Sequence, residues 1–397
     1  MKKILNCLLV LTVSIVLAQM RWNCITNIAP WSARAGHAVV VLRDTIWLFG
    51  GIDDENRCCN DVWYSPDGAS WTCVTSSAPW MPRAYCAAVV LRDTIWLMGG
   101  WNIDYPPSFR DVWYSPDGRN WRCALDSAPW IERNSCAAVV LRDTIWLMGG
   151  NWPINFSFRD VWYSPDGRNW RCALDSAPWI GRYDAAAVVL RDTIWLMGGD
   201  KGTQWLKDVW YTRDGFQWFC ATDSAPWSWL GRTGHAVVVL RDTIWLMGGY
   251  YRHSQGANTS NDVWYSPDGA SWTCVTSSAP WMPRAYFAAV VLRDTIWLMG
   301  GYTGPQRLKD VWCSPGLNGG AIEETQPVTQ PIVLTSTILR SISELTLTEP
   351  IILLDPTGRK VADLRPGTNN IRHIQRGIYF LIPNTPAKLS RKIILIK

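Results

Sequence analysis

The sequence predicts an all-β chain: a ring of six four-stranded units, a six-bladed β-propeller, followed by a small C-terminal β-sandwich. Three observations carry that expectation. Gly-Gly pairs recur at 50–51, 99–100, 149–150, 198–199, 248–249 and 300–301, at intervals of 49, 50, 49, 50 and 52 residues. Each pair closes a run such as HAVVVLRDTIWLFGG (37–51); the first five are followed by a copy of DVWYSPDGASWTCV (61–74) and the last by its fragment DVWCSP (310–315). The chain also holds 28 Trp, each able to bury about 150–250 Å², so aromatic packing must dominate its core. Repeats of four short strands at a period near 50 residues indicate blades around an axis.

The chain begins with MKKILNCLLVLTVSIVLAQ (1–19), which has the form of a secretory signal peptide. Lys2 and Lys3 precede an apolar run, and Val16 and Ala18 fit the −3 and −1 positions of a cleavage site. An uncleaved anchor is the other reading of that run. No later segment is apolar and long enough for a transmembrane helix. A formal charge of +5, with no Lys/Arg block, argues against nucleic acid as a partner.

One unit resolves into four strands. The Val/Ala-rich run 37–42 is small enough for a crowded axis. A tight Arg-Asp turn leads to TIWLFGG (45–51), a variable loop follows, then DVWYS (61–65), a PDG turn and SWTCV (70–74). Short β-branched and aromatic runs between turn signals read as strands. The segment SSAPWMPR (76–83) carries the chain to the next unit. Six units begin, but only five contain their own fourth strand. RWNCITNIAPWSAR (21–34) matches SWTCVTSSAPWMPR (70–83), so the N-terminal strand is expected to complete the last blade. That would close the ring without a free edge and set Trp22 and Cys24 beside Trp312 and Cys313. A Cys24–Cys313 disulfide is conceivable there, with a diagonal and marginal geometry.

An apolar strand ending in Gly-Gly, then an aromatic, then a Trp after a short spacer (Gly50-Gly51, Tyr64 and Trp71, with their copies) resembles the Kelch repeat. The resemblance covers about residues 20–315 and implies the propeller fold. Kelch repeats often place Asn-Gly in the first turn, where this chain has Arg43-Asp44. Asp accommodates positive φ less readily than Gly, so a longer or mildly strained turn is expected.

Residues 316–332 change to Gly, Pro, Thr and Glu and read as a linker. Residues 333–397 alternate apolar and polar positions, as a small antiparallel β-domain does. Gly-Arg-Lys-Val (358–361), Gly-x-Asn (367–369), Gly-Ile-Tyr-Phe (377–380) and the terminal RKIILIK resemble the C-terminal sorting domain of type IX secretion substrates, although the Pro-Asn-Pro usual near its start is missing. The resemblance implies secretion machinery as a partner, passage through the periplasm of a Gram-negative-type bacterium, and a secreted or cell-surface protein. An ordinary accessory β-domain is the other reading.

Repetition separates scaffold from site. The Asp of DVW (Asp61, Asp111, Asp160, Asp208, Asp262, Asp310) and the Arg after APW (Arg34, Arg83, Arg133, Arg182, Arg232, Arg284) occur in every unit, can pair with each other and are expected to be structural. SPDG followed by Trp is one residue shorter than the Asp-box of sialidases. Cys24, Cys73, Cys123, Cys172, Cys220 and Cys274 recur two residues after a blade Trp and read as small buried groups.

A unique site must come from positions that differ. The loops after Gly-Gly do, and they carry Trp101, Tyr105, Trp152, Phe156, Trp205, Tyr250, Tyr251 and Tyr302, with Trp229 before an inner strand. An aromatic face with polar neighbours suits a glycan or an extended peptide; equally, the rings can pack on each other and hold the loops. The residues leading into the inner strands differ too. Among them Glu132, Tyr183 and Asp184 suggest a carboxylate centre of glycosidase or sialidase-like type. Three functions follow: a binding or adhesion module, a carbohydrate-active enzyme, or a structural surface protein. No metal or cofactor is expected, because His37, His235, His253 and His373 show no ligand spacing and no phosphate loop is present.

Overall fold

The computed structural model describes residues 20–104, 108–152, 156–227, 230–253 and 256–316, and in the C-terminal region 337–340, 344–347, 351–354, 360–365, 367–370, 377–383 and 391–396. Every regular element among them is a strand. The chain divides into two compact units, Met1–Leu317 and Asn318–Lys397. The first is a six-bladed β-propeller.

Blade 1 shows the pattern. Ala38–Leu42, Thr45–Phe49, Val62–Ser65 and Thr72–Thr75 pair antiparallel in that order. The inner strands of blades 2 to 6 are Ala87–Leu91, Ala137–Leu141, Ala186–Leu190, Ala236–Leu240 and Ala288–Leu292. The Arg-Asp turn is a two-residue hairpin, since Leu42 pairs directly with Thr45. Both its residues take positive φ, 48° at Arg43 and 54° at Asp44, and all six copies do the same. The turn is therefore not lengthened; the backbone adopts the left-handed pair that a type I′ hairpin needs. The choice of residues has a compensation. Arg92 reaches Asp143 at 3.8 Å, Arg142 reaches Asp192 at 3.8 Å and Arg241 reaches Asp294 at 2.7 Å, each between neighbouring blades.

Within each blade, one polar node ties three segments together. Arg34 donates from Nη1 and Nη2 to the two carboxylate oxygens of Asp61, at 2.7 Å each, and from Nη1 to the Gly50 carbonyl at 2.8 Å. Asp61 Oδ2 also accepts the Trp63 indole N–H at 2.7 Å. The set repeats in every blade, through Arg83–Asp111, Arg133–Asp160, Arg182–Asp208, Arg232–Asp262 and Arg284–Asp310. The arginine side chains are 0–2% exposed and the aspartates 12–18%. Burial pushes Asp208 up, but the Arg182 guanidinium and the Trp210 indole outweigh it and hold the carboxyl below its usual range.

Between blades, tryptophan fills the gap. The APW Trp of one connection meets the outer-strand Trp of the next blade edge to face: Trp31–Trp71, Trp80–Trp121, Trp130–Trp170, Trp179–Trp218 and Trp227–Trp272, at 4.4–6.0 Å. In blades 1 to 5 the glycine of the PDG turn (RDG in blade 4) lies on the second-strand Trp of the blade before. A Cβ on Gly118 would sit 2.4 Å from the Trp47 ring, and on Gly215, 2.0 Å from Trp146. Glycine is needed twice over, because φ is 72° at Gly118 and 80° at Gly215.

In blade 6, Asn23–Thr26 lies antiparallel against Arg307–Ser314, with Asn23 opposite Cys313 and Cys24 opposite Trp312. Trp22 packs on Trp281 at 5.9 Å and 81°, as the other five pairs do. Cys24 and Cys313 are both free thiols. Directly opposed residues share a sheet face, so Cys24 leaves on the face of Trp312 and Cys313 on the other, and the marginal bridge the sequence left open is not formed. The repeated cysteines also differ from expectation. Cys24, Cys73, Cys123, Cys220 and Cys274 are exposed and Cys172 half-buried, because no further layer covers the outer strands.

The second unit holds a five-stranded sheet, ordered Thr337–Arg340, Arg391–Ile396, Gly377–Pro383, Ile351–Leu354, Lys360–Leu364. Glu344–Leu347 and Gly367–Asn370 pair separately. The expected signal peptide (1–19) and linker (316–332, beyond residue 316) lie outside the described residues.

Two substitutions test this construction. Gly118→Ala forces a methyl into Trp47 and should cost about 1–3 kcal/mol, the usual range for overpacking. Asp160→Ala strands a buried guanidinium and should cost about 3–5 kcal/mol. Urea denaturation of each against wild type reads both directly, and an unchanged midpoint would contradict either assignment.

Candidate functional site

The residue before each inner strand's lead-in pair differs between blades, yet its backbone does one thing throughout. Gly36, Tyr85, Ser135, Asp184, Gly234 and Tyr286 take φ of 51–62°. Each donates its N–H to the carbonyl of the equivalent residue in the preceding blade: Tyr85 to Gly36 at 2.7 Å, Ser135 to Tyr85 at 2.8 Å, Asp184 to Ser135 at 2.9 Å, Gly234 to Asp184 at 3.3 Å, Tyr286 to Gly234 at 2.8 Å, and Gly36 to Tyr286 at 2.8 Å. The six peptides close a hydrogen-bonded ring about the axis. Their backbone groups are satisfied by the ring itself, which leaves the side chains free to differ.

Those side chains are asymmetric. A Cβ on Gly36 would lie 2.7 Å from the Tyr85 ring, and one on Gly234 would lie 2.7 Å from the Tyr286 ring. Glycine in blades 1 and 5 thus makes room for tyrosines from blades 2 and 6, which meet at 5.4 Å and 84°. Tyr85 continues to Trp101 at 6.4 Å, and Tyr286 to Tyr250 at 5.7 Å and onward to Trp205 at 6.0 Å. Blades 3 and 4 contribute Ser135 and Asp184 instead.

Burial raises the Asp184 carboxyl to about 7, with nearby Asp200 adding to the shift; hydrogen bonds from Ser135 and Tyr286 oppose it. At the ring lies an axial cavity of about 170 Å³, lined by all six ring residues and by Cys86, Cys136, His37, His235 and Phe287, among others. Burial lowers His37 and His235 to about 3, so both are neutral. They pack as aromatic wedges against Trp31 and Trp227, at 6.2 Å each, as Phe287 does against Trp281 at 6.0 Å. Burial pushes the Cys86 thiol up to about 12 and that of Cys136 to about 11. Among the described residues, no cluster of His, Cys, Asp and Glu has a metal-binding arrangement.

The sequence-predicted aromatics separate into two groups. Trp205 is buried and donates its indole N–H to Asp200 Oδ2 at 2.7 Å, so it braces its own loop. Trp101, Tyr250, Tyr251 and Tyr302 are half-buried. Tyr302 lies under the Arg307 guanidinium at 5.7 Å. Trp152 and Phe156 behave differently. They face each other across a separate two-stranded hairpin, Asn151–Trp152 against Phe156–Ser157, and are 45% and 58% exposed. Tyr105 and Trp229 lie outside the described residues. Of the suggested carboxylate centre, Glu132 pairs with Arg110 at 3.2 Å, while Asp184 stands in the axial ring and has Asp200 as its carboxylate neighbour. Tyr183 exchanges backbone hydrogen bonds with Asp200, at 2.9 and 2.8 Å. The contributions of Ser135, Tyr85, Tyr286 and Asp200 to the Asp184 environment were not apparent from the sequence; the φ > 0 ring that gathers them has no residue signature beyond Gly36 and Gly234.

Comparison with known proteins agrees with this architecture. Residues 3–199 match the KLHDC2/KLHL20/DRC7 Kelch-repeats domain, and residues 283–313 match the Kelch motif. The chain carries Kelch-repeat domains built into a six-bladed β-propeller. Among solved structures it is similar to that described as "Structure of YjhT", with a TM-score of 0.61 at 16% identity, over 72% of this chain and 96% of that one. No curated protein sequence matches it.

The neutral histidines make the propeller acid-sensitive. Their folded values lie below the ordinary histidine value of 6.5, so the unfolded chain takes up protons first as pH falls. The contribution is complete above 6.5 and is lost progressively toward about 3. The double variant His37→Phe, His235→Phe should flatten the fall of melting temperature over that window. Calorimetry across the range would detect it, and parallel curves for variant and wild type would refute the assignment.

Proposed function

We propose that the protein is an exported binding module that engages a glycan or protein ligand with the variable loop face of its propeller. The observation that carries this reading is the exposure of Trp152 and Phe156. Every blade uses its repeated residues for the same internal contacts; among the loop aromatics, Trp205 braces its own loop and Trp101 and Tyr250 pack on the axial tyrosines. These two rings, opposed on a hairpin of their own, are 45% and 58% exposed, with Phe156 held edge to face by Phe158 at 5.2 Å. Flat aromatic surface with polar neighbours suits the C–H faces of sugar rings or the apolar side chains of an extended peptide. Kelch-repeat architecture is compatible with such a role and leaves the ligand open.

Export is part of the proposal. It rests on the signal-like segment 1–19 and on the likeness of the C-terminal residues to type IX sorting domains; the β-sheet content of the second unit supports that likeness. The N-terminal strand is proposed to act as the clasp of the ring. In its support, Asn23–Thr26 occupies the outer position of blade 6 and Trp22 repeats the inter-blade contact of the other five.

A glycan and peptide array probed with the Trp152→Ala, Phe156→Ala variant tests the rim. Signal should fall at least about tenfold, with a stability change within about 0.5 kcal/mol as for other exposed positions. Retained binding would remove the site. Trp205→Ala should instead lose about 3–5 kcal/mol of stability as a buried aromatic. Deleting residues 20–33 tests the clasp: the truncated chain should melt lower and associate through the uncovered blade edge, and an unchanged melting temperature would reject the closure.

A further inference from the structure

The axial cavity holds a carboxyl group that lacks a counter-charge. Asp184 is hydrogen-bonded only by neutral groups, the hydroxyls of Ser135 and Tyr286, and the charged group acting on it, Asp200, has the same sign. No ion pair to it is formed among the described residues. The other titratable groups lining the space supply no positive charge. His37 and His235 are neutral, Cys86 and Cys136 are held as thiols, and burial pushes Tyr85 and Tyr286 well above the usual phenol range. Arg307 acts on Tyr85 but is engaged elsewhere, donating to Asn56 Oδ1 at 2.8 Å and lying over Tyr302. Beside the unpaired carboxyl stand two tyrosine rings held edge to face at 5.4 Å.

We propose that this axial well binds a small organic ammonium ion, with its charge against the Asp184 carboxylate and its methyl or methylene groups against Tyr85 and Tyr286. The chemistry is that of a cation set between a carboxylate and aromatic faces, where desolvation strengthens both attractions. The size agrees: the cavity is about 170 Å³, and one of about 150 Å³ accommodates benzene. A bound cation supplies the charge the folded chain omits, so binding favours ionised Asp184 and releases its proton. The site is distinct from the Trp152–Phe156 hairpin, and its failure would leave the rim reading untouched.

The test is calorimetric titration of the full-length chain with choline chloride, with sodium chloride and the uncharged analogue 3,3-dimethylbutan-1-ol as controls. Choline should bind saturably, and the neutral analogue at least about tenfold more weakly. With the carboxyl titrating near 7, choline affinity should be about tenfold lower at pH 6 than at pH 8. That comparison needs no variant. Asp184→Asn removes the charge without changing shape; it should weaken choline at least about tenfold and abolish the pH dependence. Tyr286→Phe keeps the ring and should bind more strongly than Tyr286→Ala. Equal binding of the neutral analogue, a pH-independent affinity in the wild type, or no saturable choline binding at pH 8 would each overturn the proposal.

Discussion

The propeller depends on one buried polar node repeated around it. An arginine that arrives from the preceding connection is received by an aspartate of the third strand, by the first carbonyl of the Gly-Gly pair and, through that aspartate, by a tryptophan indole. Arginine suits this position because its planar fork satisfies a carboxylate with two parallel bonds and still has donors for a carbonyl. A buried ion pair is not by itself a source of stability, since desolvation offsets much of the attraction. Its consequence is geometrical. The node fixes where the chain enters each inner strand, where the second strand ends and where the third begins. The segments between those points are released from structural duty, and they are the loops that differ.

A second constraint acts between sheets. Each PDG glycine rests on a tryptophan of the neighbouring blade, and each APW tryptophan meets an outer-strand tryptophan of the next. Wedge packing of this kind fixes the spacing of blades more tightly than aliphatic contact would, because a missing Cβ and a flat ring match in only one relative position. The ring of left-handed residues at the axis follows from the same spacing. Six equivalent residues at one radius bring each N–H within reach of the next carbonyl, and the backbone closes on itself without help from any side chain.

The repeat made most of this architecture legible. Gly-Gly, DVW, APW and, in four units, PDG mark strand ends, and the recurrence of Gly-Gly, DVW and APW in all six units identifies Arg34, Asp61 and their copies as scaffold before any coordinate is known. Of the two expectations for the first turn, lengthening fails and mild strain holds, because Arg and Asp both take positive φ in a two-residue hairpin; the ion pairs that accompany the choice lie between blades and are not visible in one repeat. The repeated cysteines were misread because alternation along a strand says nothing about whether a further layer covers it. Loop aromatics were legible as a class but not one by one. Trp205 and Trp152 look alike in sequence; what buries Trp205 is a hydrogen bond to Asp200, five residues away in a turn that composition does not specify. The axial group was the least legible. Ser135, Asp184 and Tyr286 are separated by 49 and 102 residues and meet only because the blades close into a circle.

Near-symmetry gives the departures their meaning. If all six axial positions held the same residue, identical side chains would compete for one axis, and a large ring or a charge at every position would not fit. Glycine at 36 and 234 resolves the crowding by ceding space to Tyr85 and Tyr286. The two tyrosines then cover one side of the axis and leave the other to Ser135 and Asp184. A carboxyl group in that place costs free energy through desolvation, and no described cation offsets it. A chain that needed only to close its ring would be better served by alanine or serine, as blade 3 shows with Ser135. The Asp184 carboxyl thus costs free energy within a scaffold whose six repeated DVW carboxylates are each paired with an arginine, and that contrast within one molecule separates it from the structural set.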